Sequence, residues 1–227
     1  MHHPDPQQIA HTASVDRLNL LEQGHRPVDV LQPGPRFVCL ILPHAMCAQT
    51  YRPANAQAFK LAASHLRQST PGELALDVSP AGLWPTFVGP VDLLDPEARR
   101  TAYVHCAPAG PLEFVIGSSS FCNHRPDQPF VIVGPNGYQR PLNERGLPQI
   151  RAALKELALT GRATVTLGLL RLTNTEVAVE DPAPNRKSVK SQTVLVQFDL
   201  DGVDDFTPQK FAAPLNELWS KLVDACQ

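Results

Sequence analysis

Three short clusters in the chain carry side chains that can bind metals or act as nucleophiles. They are His44 and Cys47 in HAMC, the adjacent His105 and Cys106, and Cys122 with His124 in CNH. Imidazole and thiolate are donors that zinc prefers, and tetrahedral zinc takes four of them. Two of the pairs fall at or just after expected strand ends, where a fold converges side chains. Neither HxxC nor CxH repeats at zinc-finger spacing, and neighbours on a strand point to opposite faces, so His105 and Cys106 do not readily share an ion. Buried free cysteine also behaves as a small apolar residue. The expectation is therefore no bound cofactor, with zinc on His44, Cys47, His105, Cys122 and His124 as the alternative. The same residues support a thiol reading. Cys122 would be the nucleophile and His124 or His105 its base, with backbone donors from Gly117-Ser118-Ser119-Ser120 facing an oxyanion.

A second motif ends a hydrophobic strand in carboxylates: Val196-Gln197-Phe198-Asp199-Leu200-Asp201-Gly202-Val203. It resembles the opening signature of the haloacid-dehalogenase phosphatase superfamily. The resemblance implies that Asp199 attacks phosphorus and Asp201 acts as acid/base, with Mg²⁺ assisting. In that family the motif lies near the start of a doubly wound domain and precedes a Ser/Thr, a Lys and an acidic pair. Here little more than one amphipathic helix follows Gly202, and Val203 stands where Thr is usual. A simpler reading has Asp199 and Asp201 ending a strand and Gly202 turning the chain. Asp204 and Asp205 then precede a helix whose dipole favours acids. The spacing also departs from the EF-hand calcium loop. No residue is assigned as catalytic, and Cys122, His124, Asp199 and Asp201 stand as the candidates.

The elements that would position these groups follow from periodicity. Residues 1–13, with Pro4, Pro6, His2, His3 and His11, read as a flexible terminus, and 14–227 as one α+β domain with a possible subdomain seam at 134–146. Ser14 is expected to cap a short helix in which Val15, Leu18 and Leu21 share a face and Gly24 ends it. Phe37 to Leu42 is unbroken apolar sequence between prolines, the pattern of a strand buried on both faces. Pro53 opens a second helix carrying Phe59, Ala63 and Leu66. The period then changes to two. Leu74–Val78, Ala102–Cys106, Leu112–Ile116 and Phe130–Val133 read as an antiparallel set. Pro148 starts a helix with Leu147, Ile150, Leu154 and Leu157 in one stripe, ending near Gly161.

Strands at 163–172 and 193–200 would form a hairpin around a long loop, and long loops in compact domains are usually functional. That loop, 173–192, begins acidic (Glu176, Glu180, Asp181) and ends basic (Arg186, Lys187, Lys190), and its basic tip can reach phosphates. Thr207 and Pro208 start a terminal helix with Phe211, Leu215, Leu218 and Leu222 on one face, and Pro214 predicts a kink or a split. Trp219 lies beside that face, in the core or at an interface. From Phe130 onward the order resembles most of a split β-α-β sandwich, with helices on one face of an antiparallel sheet. Asp204-Asp205-Phe206-Thr207-Pro208 and its helix also resemble a stretch in small subunits of contractile secretion sheaths.

Composition bounds the function. The 227 residues carry a net charge of −2 and are 43% hydrophobic and 19% charged, a globular balance that argues against a whole-surface nucleic-acid binder. The 23 prolines punctuate loops, and the five scattered cysteines read as free thiols of a reducing compartment. No apolar run is long enough to span a bilayer, and Asp5, Asp16 and Glu22 in the polar first segment predict no signal peptide, so the expected location is the cytoplasm with no membrane partner. Walker, GxGxxG, HExxH and GxSxG motifs are absent. The leading reading is a non-enzymatic interaction or assembly subunit. It would contact a protein partner or further copies of itself through the 173–192 loop and the terminal helix, with Arg186, Lys187, Lys190 and Trp219 as contact residues. The alternatives are a metal- or thiol-dependent hydrolase, and a subunit that touches nucleic acid through 186–190.

Overall fold

The computed structural model describes residues 5–23, 33–48, 56–69, 75–78, 85–88, 101–106, 111–123, 125, 127–180 and 184–226. The fold is α+β, as the periodicities predict. Pro6–Glu22 (α1), Arg36–Pro43 (β1) and Ala56–Leu66 (α2) are followed by Ala75–Val78 (β2), Pro85–Val88 (β3), Ala102–Cys106 (β4) and Leu112–Gly117 (β5). Cys122–Asn123 (β6) and Phe130–Ile132 (β7) come next. Asn136–Pro141 (α3) and Leu147–Glu156 (α4) then lead to Ala163–Leu170 (β8), Thr175–Glu180 (β9), Pro184–Ser188 (β10), Val194–Leu200 (β11) and Pro208–Asp224 (α5).

Seven strands form the main sheet in the order β11-β8-β1-β5-β4-β3-β2, and every pairing in it is antiparallel. The expected pairing of the 163 and 193 strands is present as β8 with β11. All residues of β1 and β8 are buried. Such strands need cover on both faces, and the sheet has it. On one face Phe37, Cys39, Ile41, Phe114, Val165, Leu167 and Val196 pack with α2, α4 and α5 through Leu66, Ile150, Leu154, Phe211, Leu215 and Leu218. On the other, Val38, Leu40, Tyr103, Val115 and Leu170 pack with Leu18 and Leu21 of α1. The expectation of helices on one face is thus corrected by two-sided burial.

Helix α1 starts earlier than expected. Asp5 is its N-cap, with the carboxylate accepting the Gln7 N–H at 3.2 Å, and Pro6 takes the first turn, where its missing N–H is harmless. Residues 6–13, read as a loose terminus, are therefore helical, and Ser14 is a buried mid-helix residue and not the cap. Residues 134–146, the possible subdomain seam, are largely helical. They run through α3 and a π turn at Leu142–Gly146 straight into α4, with Tyr138, Leu142 and Leu147 fully buried. Pro141 and Pro148 lack the N–H groups a regular ladder needs, and the π turn falls between them. Helix α5 is a single run through Pro214 and is not split. Gly24, Pro53 and Leu74 lie outside the described residues.

The 173–192 loop is not an irregular excursion. It folds as the β9–β10 hairpin, part of a second sheet in the order β10-β9-β7-β6, where β7 and β9 pair in parallel. Strand β7 therefore belongs to this small sheet and not to the main one, which removes it from the expected split β-α-β arrangement. Val177 and Ile132 bury this sheet against the larger core.

Gly137 in α3 supplies a test of that packing. A Cβ there would lie 2.5 Å from Phe121 Cβ and 2.7 Å from its Cα, and backbone does not yield as a side-chain tip does. Alanine normally improves a helix by about 1 kcal/mol over glycine. Here we expect Gly137→Ala to destabilise by about 1–3 kcal/mol. Gly161→Ala, which meets nothing within 4 Å, should change stability by under about 0.5 kcal/mol in the same urea melts.

Candidate functional site

The described polar side chains converge most closely where α1 crosses the strand ends of β8 and β11. On β11, Leu195, Gln197 and Asp199 alternate towards α1, while Val194, Val196 and Leu200 face the opposite core. Thr164 Oγ1 donates to Asp199 Oδ1 at 2.7 Å. From α1, His11 Nε2 lies 3.1 Å from Asp199 Oδ1 and 3.3 Å from Oδ2, and the Gln7 amide donates to Oδ2. His44, in the helical turn after β1, places Nε2 at 3.0 Å from Thr164 Oγ1 and 3.7 Å from Asp199 Oδ1. The Thr164 proton is committed to the carboxylate, so its lone pair accepts from the Nε2–H tautomer of neutral His44. Gln197 completes the layer by donating to Thr166 Oγ1 at 3.0 Å and to the His11 carbonyl at 3.3 Å.

Electrostatics follow from this geometry. Burial works to raise the Asp199 carboxyl, but hydrogen bonds from Thr164 and His11 and the pull of His11 and His44 outweigh it. The group sits below its ordinary value and stays ionised. Desolvation pushes His44 down, Asp199 opposes, and Arg162 and His11 add to the fall, so His44 is neutral near pH 7. Farther along α1, Arg17 meets the buried Glu113 of β5 through Nε, and its Nη2 donates at 3.1 Å. Tyr103 donates to the same carboxylate at 3.2 Å. Desolvation first, and Glu113 second, hold the Tyr103 phenol well above its usual value.

The structure places the sequence candidates apart. Asp201 is exposed at the strand end, with Oδ1 3.6 Å from Arg162 Nε, and does not join Asp199. The sheet is antiparallel throughout, so the doubly wound frame implied by the phosphatase resemblance is absent among the described residues. His105 sits opposite Glu113 on β4, and burial lowers it, while Cys106 faces the other core with its thiol pushed up to about 12. Cys47 ends the turn that His44 begins, and Cys122 opens β6. Desolvation raises both thiols, which works against a thiolate at neutral pH. His124 lies outside the described residues. Ser118 Oγ donates to the Pro33 carbonyl at 2.9 Å. Among the described residues no three His, Cys, Asp or Glu side chains are grouped to hold a metal ion.

Arg186 and Lys187 are exposed on β10 and Lys190 just beyond it, with Arg186 Nη1 4.0 Å from Glu176. Trp219 is partly buried against the main core. Sequence reasoning missed Gln7, His11, Arg17, Thr164 and Glu113. The available signal was Asp5-Pro6, a cap and a first-turn proline, which puts Gln7, Ala10, His11, Ser14, Leu18 and Leu21 on one helical face. No protein-family model, curated protein or solved structure matches the chain.

The arrangement makes stability fall with acid. His44 is neutral in the fold below its ordinary value of about 6.5, so the unfolded chain binds the proton first as pH falls past that point. Asp199 contributes stability above its unfolded value of about 3.9, and loses it as pH falls through its lower folded value. Both effects have the same sign. Urea melts from pH 7.5 to 5 should show declining stability, and His44→Gln should lessen that decline. Asp199→Asn should destabilise at pH 7.5 by about 1–3 kcal/mol, since it breaks charged hydrogen bonds.

Proposed function

We propose that this chain is a protein-interaction or assembly subunit whose contact element is the β9–β10 hairpin. The observation that carries the reading is β10 itself, the terminal strand of the small sheet, with Asn185, Arg186, Lys187 and Ser188 all exposed. An edge strand with open backbone groups is a template for pairing with another chain. This one is also held in place. Val189 donates to the Thr175 carbonyl at 2.9 Å, and Lys190 donates to the Ala225 carbonyl at the end of α5 at 2.9 Å. A contact element fixed at its base loses less conformational entropy on binding than a free loop. The terminal helix thus serves the contact by anchoring the hairpin, and the exposed part of Trp219 adds contact area on α5.

The polar cluster at Asp199 supports the same reading. Its groups are occupied in holding α1 to the sheet, Thr164 is fully buried, and its proton points to a carboxylate that stays ionised. Among the described residues no helix is long and apolar enough to cross a membrane. The five cysteines are free thiols, which suits a cytoplasmic setting.

Native mass spectrometry of the untagged chain, recovered from its own cells, tests this. The expected result is a stable assembly heavier than the 24.8 kDa chain. A variant with the hairpin shortened between Glu180 and Val189 should collapse to the single-chain mass while its circular-dichroism melt is retained. A lone chain in the extract, or an assembly indifferent to the shortening, would overturn the proposal.

A further inference from the structure

Hydrogen-bond parity across the main sheet shows which main-chain groups of its terminal strand β11 stand open. The His44 N–H donates to the Arg162 carbonyl at 2.8 Å, and the two residues continue the β1–β8 register by one pair. Even-numbered residues of β8 therefore bond to β1 and odd-numbered ones to β11. Their β11 partners are Val194, Val196, Phe198 and Leu200, so Leu195, Gln197 and Asp199 turn their N–H and C=O groups outward. Lys221 Nζ donates to the Leu195 carbonyl at 3.2 Å, as that parity requires. Beyond them the Asp201 N–H is taken by Asp205 at 3.2 Å. The Leu195 N–H and both groups of Gln197 and of Asp199 remain, five open groups with no partner among the described residues.

Positions 194–198 carry no charge, proline or glycine, the residues that usually protect an edge. Helix α1 packs on β8 and β1, and α5 on β11 and β8, so both faces are covered while the outer side of β11 is left. A second copy does not fit that side. Pairing β11 with β11 would bring two α5 helices, each seated chiefly on its own β11, to about one strand spacing of 4.8 Å. Packed helices need about 8–10 Å between axes. A lone extended segment brings no helix with it. Charge also differs along the edge: Lys221 stands at the Leu195 end, and the exposed Asp201 at the other. Val196 and the partly buried Phe198 share the α5 face between them. Cross-strand neighbours share a face, so an antiparallel segment would need apolar residues in the middle, a base opposite Asp201 and an acid near Lys221.

We propose that the outer edge of β11 takes up an extended segment of a partner protein as an antiparallel eighth strand of the main sheet. Its backbone pairs with Leu195, Gln197 and Asp199, and its apolar side chains lie beside Val196 and Phe198. The charges at its two ends, against Asp201 and Lys221, fix its direction and register. This surface is separate from the β9–β10 hairpin.

The full ¹⁵N-labelled chain, titrated with the blocked octapeptide Lys-Thr-Thr-Val-Thr-Val-Thr-Glu, tests the proposal. In antiparallel register its lysine lies opposite Asp201 and its valines opposite Phe198 and Val196. The outward Leu195, Gln197 and Asp199 amides should shift and gain exchange protection, ahead of the inward Val196 and Phe198 amides. N-methylation of the fifth peptide residue, whose N–H meets the Gln197 carbonyl, should abolish binding. The same change at the fourth residue, whose N–H faces solvent, should leave binding intact. Asp201→Lys should weaken binding about fivefold without moving the melt, and a peptide with Glu for its lysine should restore it. Shifts confined to other elements, no binding, equal loss from the two methylations, or indifference to Asp201→Lys would each overturn the proposal.

Discussion

Burial of β1 on both faces is the constraint from which the rest of the molecule follows. Eight consecutive residues, Arg36 to Pro43, lie inside the protein. Phe37, Cys39 and Ile41 point one way and Val38 and Leu40 the other, so a single layer of helices could satisfy only half of them. Helices α2, α4 and α5 cover one face, and α1 must cross the other. Antiparallel neighbours β5 and β8 inherit the same two-sided environment through register, Val38 lying between Val115 and Gly168.

The two faces are covered by different physics. The larger core is apolar and includes a stacked Phe37–Tyr138 pair and an edge-on Phe198–Phe211 contact. The α1 face has a narrower apolar stripe flanked by polar clusters, with Asp199 and His11 hydrogen-bonded at one end and the Glu113–Arg17 ion pair farther along. Buried ion pairs add little net stability, because desolvation opposes the Coulombic gain, yet removing one partner leaves a costly charge behind. The acids and bases therefore fix where α1 lies and in which register, more than how strongly the whole domain is held. Asp199, a candidate for chemistry in the sequence, takes part in docking this helix.

The second sheet has a comparable economy of design. Val177 and Ile132 attach it to the main core, while β10 stands at its outer edge with polar and basic side chains. The end of α5 meets the hairpin at Val189 and Lys190, so the amphipathic terminal helix both covers β11 and fixes the outlying strand. A hairpin of this kind presents polar and basic side chains on a base fixed by main-chain hydrogen bonds.

Much of this architecture is legible in the order of residues alone. The apolar run at Phe37, the alternation at Ala102 and Leu112, the stripes of α4 and α5 and the β8–β11 pairing are local patterns, and backbone periodicity translates them directly into elements. The α+β class follows from them. What local pattern cannot carry is long-range placement. His11 and Asp199 are distant in sequence and meet only because α1 covers the second face. His105 and Cys106 are neighbours in sequence and diverge because a strand alternates its side chains. The long loop reads as polar chain until β7 and the core offer Val177 and Val179 a place to pack. Periodicity is a property of a few adjacent residues. Convergence of side chains, the pKa values that follow from it and the identity of free edges depend on which surfaces must be buried together, and that is decided when the whole chain closes around its core.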